Sequence, residues 1–169
     1  MLPGLRAFAL CLLFVAPALA AERPPPRLVI PGSAERPIPP ASLVGADRRD
    51  VRLEDAEGNV TVYHGMPLLE VLEKNGLDVR TMAGERKSAP AVVVATARDG
   101  YAVVFSVGEL RMHRAEPRVF LVAETSAGTL PENEGPVRLI VYGDGVRSAY
   151  GLAKIELRYL AENRAQGTR

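Results

Sequence analysis

Ala91-Val-Val-Val-Ala-Thr-Ala97-Arg-Asp-Gly100-Tyr-Ala-Val-Val-Phe105-Ser106 places two apolar, β-branched runs on either side of Arg98-Asp99-Gly100. Branching at Cβ costs rotamer freedom in a helix and suits a pleated surface, while Asp-Gly supplies the backbone of a tight turn. The stretch predicts a hairpin of Ala91–Ala97 and Tyr101–Phe105, with Ser106 capping a short helical turn through Leu110. Upstream, Val51 and Leu53, then Val60 and Val62, alternate with polar residues around Ala56-Glu57-Gly58-Asn59, a second hairpin. Between the hairpins, Pro67-Leu-Leu-Glu-Val-Leu72-Glu-Lys-Asn75-Gly76-Leu77 reads as a helix with Pro67 in its first turn and Gly76 at its stop; Leu77 is suited to the apolar contact that closes the end. Downstream, Val119–Ala123, Val137–Tyr142 and Leu152–Leu160 read as strands. Strands dominate, one or two short helices accompany them, and no strand-helix-strand repeat occurs. The class is strand-rich α+β with mixed sheets.

The termini and composition set the context. Residues 1–20 carry one charge, Arg6, an apolar run from Ala7 to Ala16, and small residues at Ala18 and Ala20, the three parts of a cleavable export signal. Pro17 ends the run short of the roughly 20 apolar residues a membrane span needs, so no anchor is expected after cleavage. Cys11, the only cysteine in the chain, leaves with that segment. Disulfides and thiolate metal ligands are then excluded from the exported form, whose expected location is the periplasm or the medium. Without Arg6, the 21 basic residues fall to one fewer and match the 20 acidic ones. A neutral chain without a Lys/Arg cluster lacks the footprint of a nucleic-acid binder. Residues 21–26 form a proline-rich lead, 27–161 one domain and 162–169 a polar tail. Seven prolines between Pro24 and Pro40 leave room only for a short edge strand at Arg27–Ile30 and an irregular crossing to about Leu43.

Three pieces, in order and spacing, resemble small exported proteins with the sulfite-oxidase type of molybdopterin-binding domain. They are Tyr63-His-Gly65-Met-Pro67-Leu-Leu-Glu-Val-Leu72, Arg98 to Ser106, and Glu134-Gly-Pro-Val-Arg-Leu-Ile-Val-Tyr142 through Lys154-Ile-Glu-Leu157. The resemblance spans roughly residues 27–160 and implies that fold. It also implies a molybdenum held by the pterin's sulfurs and by a cysteine thiolate in the loop before the helix, a soft ligand suited to such a centre. Here that loop reads Arg52-Leu-Glu-Asp-Ala-Glu-Gly-Asn59, without cysteine. Folded holoenzymes of this kind leave by the twin-arginine route, whereas this leader has Arg6 alone. The expected protein is therefore a non-redox binding or accessory module for a small anionic ligand or a periplasmic protein partner, with molybdopterin entering by resemblance only. The alternative is a molybdopterin-dependent oxidoreductase with atypical ligation, by the pterin alone or by Glu54 or Asp55.

No catalytic residue and no metal ligand is singled out. His64 and His113 stand in separate segments without metal-ligand spacing, and neither a Gly-x-Ser-x-Gly elbow nor a phosphate-binding Gly-x-x-x-x-Gly-Lys occurs. Asn59-Val60-Thr61 matches a glycosylation acceptor but falls in a hairpin turn, where Asn and Gly serve the backbone. The densest candidate is the loop Tyr142 to Gly151. Its Arg147, Gly143, Asp144, Gly145 and Tyr150 correspond to the segment that faces pterin and phosphate in the family. Arginine's fork and bare glycine amides suit a phosphate or carboxylate; the other reading is a flexible hairpin connection with a solvated Arg147.

Export depends on the apolar core of the leader, so replacing Leu12 and Leu13 with Arg leaves an unprocessed precursor inside the cell, read by immunoblot of cell fractions. Mature protein in the periplasm would refute the leader.

Overall fold

The computed structural model describes residues 23–77 and 91–160. The export signal expected at 1–20, the start of the lead at 21–22, residue 161 and the tail at 162–169 lie outside the described residues. The described chain folds as two five-stranded sheets and two short helices, a strand-rich α+β architecture. The first sheet contains β1 (Arg27–Val29), β2 (Arg36–Pro37), β5 (Ala91–Ala97), β6 (Ala102–Ser106) and β10 (Leu152–Tyr159), in the order β2-β1-β10-β5-β6. The second contains β3 (Arg49–Glu54), β4 (Val60–Pro67), β7 (Val119–Thr125), β8 (Gly128–Thr129) and β9 (Arg138–Val141); β4 borders one side of β7, and β8 and β9 also pair with it. The helices are α1 (Leu68–Lys74) and α2 (Val107–Met112). Among the described residues no helix is long and apolar enough to cross a membrane.

Both expected hairpins form. Alternation works as period two demands: Ala91, Val93, Ala95 and Ala97 are buried while Val92, Val94 and Thr96 are half-exposed. Ser106 caps α2, its hydroxyl accepting the Glu109 N–H at 2.9 Å. Gly76, at φ 103°, ends α1; its N–H donates to the Glu73 carbonyl and the Leu77 N–H to the Leu72 carbonyl, with Leu77 buried beside them. This paired closure is what a glycine followed by an apolar residue allows.

Three details depart from the expected pattern. The strand at Arg27–Val29 is interior, lying parallel to β10, and the edge belongs to β2. Pro37 fits there because an edge strand has a side on which a missing N–H costs nothing. Pro67, expected in the first helical turn, instead ends β4 with ψ 134°, so the helix begins at Leu68. Tyr142 to Gly151 is not a hairpin connection, since β9 and β10 belong to different sheets and the loop crosses between them.

The main core lies between the sheets, where Val93, Phe105 and Ile155 of one meet Leu121 and Leu139 of the other, with Leu68 and Leu72 of α1 alongside. A smaller cluster of Val51, Tyr63, Phe120, Val122, Leu130 and Ile140 covers the other face of the second sheet. The β4–β7 contact is unusually close at Gly65. A Cβ there would sit 2.1 Å from the Leu121 carbonyl oxygen and 2.6 Å from the Val122 Cα, both backbone atoms.

In denaturant unfolding, Leu72→Ala should lose roughly 2–5 kcal/mol because Leu72 is fully buried. Gly65→Ala should lose at least about 1–3 kcal/mol, since a pinned backbone must move to admit one methyl. An unchanged midpoint for either variant contradicts the packing described.

Candidate functional site

Five segments converge beside the main core: the start of β3, the end of β4 with α1, Glu109 and Leu110 of α2, the run from His113 to Val119, and the end of β9 with the first half of the 142–151 loop. They enclose a cavity of about 520 Å³, within the roughly 300–1,000 Å³ typical of small-molecule sites. Its apolar surface comes from Leu69, Leu110, Val119 and Val141. Its polar wall carries four arginines, Arg49, Arg114, Arg118 and Arg147, and four carboxylates, Glu70, Glu73, Glu109 and Asp144.

The charges are mostly paired. Arg49 meets Glu70 at 3.0 Å, and Arg114 grips Glu73 with two nitrogens at 2.6 and 3.1 Å, the bidentate geometry of a planar fork. Arg147 holds two carboxylates at once, Nε donating to Asp144 at 2.8 Å and Nη1 to Glu109 at 2.9 Å. Its guanidinium carbon lies 5.2 Å from the ring centroid of Phe105, a core residue, so the head is backed by the protein interior. Ser106-Val-Gly-Glu109 has the spacing of a capping box, in which Glu109 would reach back to the helix start; here its carboxylate goes to Arg147 instead. The Arg147 hydrogen bond holds the Asp144 carboxyl below its ordinary range, and the bond to Asp144, then that to Glu109, raises the Arg147 guanidinium. Among the described residues Arg118 forms no ion pair. Its carbonyl accepts the Tyr142 N–H at 2.7 Å, and it also lines an adjoining groove with Glu116, Tyr142 and Gly143.

The loop is closely bonded rather than slack. Ala149 exchanges two 2.9 Å backbone hydrogen bonds with Leu139, the Ser148 hydroxyl accepts the Val141 N–H at 3.0 Å, and the Tyr101 hydroxyl donates to the Val146 carbonyl. Of the residues singled out in it, Gly143, Asp144 and Arg147 line the cavity; Gly145 and Tyr150 do not. Tyr150 belongs to another cluster, where buried Arg138 lies 4.3 Å from its ring centroid and 4.9 Å from that of Tyr63. Arg138 donates to the Tyr63 hydroxyl at 2.6 Å and to Glu134 at 2.9 Å, and burial raises the Tyr63 phenol. His113 lines the cavity, whereas His64 bonds Asp50 at 2.8 Å in the second sheet. Sequence reasoning missed Arg49, Glu70, Glu73, Glu109, Arg114 and Arg118, which carry no local binding motif and meet only in three dimensions.

The donor set does not fit a molybdenum centre. The cavity wall offers guanidinium, carboxylate and imidazole groups but no thiolate, and Cys11 is the chain's only cysteine. Glu54 and Asp55, the alternative oxygen ligands, do not line the cavity. Asp55 is committed to its own turn, accepting the Glu57 and Asn59 N–H groups at 3.0 and 2.8 Å and the Asn59 amide at 2.9 Å. Among the described residues no group of three or more His, Cys, Asp or Glu side chains is placed to hold a metal. The chain matches no known protein family and none of the curated proteins.

Asp144 owes its lowered pKa first to Arg147. A depressed folded value contributes stability above the unfolded pKa, and that contribution disappears as pH falls through the folded one. In Arg147→Ala the Asp144 side-chain carboxyl should titrate at higher pH than in wild type, read by carbon NMR; an identical titration would refute the pairing.

Proposed function

We propose that this protein is an exported, non-redox binding module with the sulfite-oxidase type of molybdopterin-domain fold, and that its cavity takes a small anionic ligand. The fold assignment rests on the resemblance in residues 27–160, to which a strand-rich α+β architecture conforms. The observation that carries the function is a cavity of about 520 Å³ with apolar walls in which Arg118, alone of four arginines, has no carboxylate partner among the described residues. Such a site recognises an anion by charge-assisted hydrogen bonds while apolar contacts hold the ligand's body.

Roles among the arginines follow from their pairing. Arg147, carried over from the resemblance as the anion contact, already faces two carboxylates. A ligand anion at Arg147 would have to displace one of them or share the fork with both. Arg118 has no such competitor among the described residues, so it takes the anion, and Arg147 is a positioning residue that ties the 142–147 turn to α2.

Two measurements test the reading. Elemental analysis of protein purified from its own periplasm should find no stoichiometric molybdenum; one atom per chain overturns the non-redox assignment. In calorimetric titration of phosphate, sulfate and a pterin monophosphate, at least one should bind, and Arg118→Ala should weaken it about ten- to hundred-fold, the usual worth of a charged partner. Failure of all three to bind wild type, or equal binding by the variant, refutes the anion site.

A further inference from the structure

We infer that the ligand of this cavity is a zwitterion, with a carboxylate that meets Arg118 and an ammonium group that meets the Glu109–Asp144 pair. The inference rests on the cavity being the ligand site proposed above and adds the chemical class of the ligand. It follows from which charges are matched. Arg49 with Glu70, at 3.0 Å, and Arg114 with Glu73, at 2.6 Å, are closed pairs that leave no excess charge. Arg147 is shared by Asp144 at 2.8 Å and Glu109 at 2.9 Å, so that trio carries one negative charge in excess. Arg118, which lines the same cavity, has no carboxylate within 4.0 Å among the described residues. Glu116 borders only the adjoining groove and does not line the cavity.

The lining therefore contains an unmatched cation, Arg118, and a trio with an excess negative charge. A simple anion satisfies Arg118 alone, and a simple cation satisfies the trio alone. A molecule carrying both charges satisfies each, and the trio's unmatched carboxylate capacity suits the three donors of an ammonium group. In the same cavity, Leu69, Leu110, Val119 and Val141 offer hydrocarbon surface. The class is thus an amino acid with an apolar body, of the α- or the ω-type.

The test uses the full exported protein at low salt, where exposed charges are least screened, and follows amide NMR shifts of Arg118 and of residues 142–147. The probes are the ω-amino acids from 3-aminopropanoate to 8-aminooctanoate and L-leucine, each beside the carboxylic acid and the amine of the same skeleton. At least one amino acid should bind about tenfold or more tighter than both counterparts, the worth of one charge-assisted contact. Glu109→Gln should erase the preference over the carboxylic acid while leaving that acid's own binding intact or stronger; Asp144→Asn removes the same excess charge should Glu109→Gln not fold. Arg118→Gln should erase the preference over the amine. Carboxylic acids that bind as tightly as their amino acids overturn the zwitterion and leave the anion site standing. If no amino acid binds although phosphate does, the zwitterion is likewise overturned, and if phosphate also fails, the cavity reading falls with it.

Discussion

The approach of β4 to β7 at Gly65 is the constraint on which the cavity depends. With a Cβ excluded by the Leu121 carbonyl, the two strands run almost in contact, and the β4 register shifts between His64 and Gly65. Pro67, two residues on, ends the strand, and α1 begins at Leu68. The position of Leu69, Glu70 and Glu73 in the cavity wall is therefore set by how β4 lies on β7. On the far side of β7, β9 pairs from Val119–Val141 to Val122–Arg138 and delivers the chain into the 142–147 turn. One strand thus holds both sides of the site in place.

Pairing within the wall decides what those side chains can do. Ion pairs on a partly exposed surface add little stability, with a typical worth of about 0–1 kcal/mol, so three such arrangements around one cavity are poorly explained as a stability device alone. Their effect is to fix guanidinium and carboxylate groups in place, and under the proposed function that would lower the ordering cost of binding. Glu109 shows the trade. It stands where a helix start would use it as a reciprocal cap and is spent on Arg147 instead, while Ser106 caps alone.

Much of the architecture was legible locally. The 91–106 hairpin, the 51–62 hairpin and the Leu72–Leu77 helix closure each follow from side-chain periodicity or from a glycine in its proper place, and each depends on neighbours close in sequence. The loop from Tyr142 to Gly151 was also visible as a dense polar segment. Its division was not: Asp144 and Arg147 face the cavity, whereas Tyr150 turns to stack on Arg138, because the bridge between Leu139 and Ala149 folds the loop's second half back onto β9.

By itself the sequence determined the strand-rich class, the two hairpins, the helix limits within two residues, and the absence of any cysteine beyond Cys11, since these rest on local conformational preference or on composition. Tertiary structure alone decided that β1 is interior, that the 142–151 loop crosses between sheets, and that Arg147 is paired whereas Arg118 is unmatched among the described residues. The physical reason is range. Backbone preference acts over a few residues, but the charge that an arginine meets is set by carboxylates 38 positions away, as for Arg147 and Glu109.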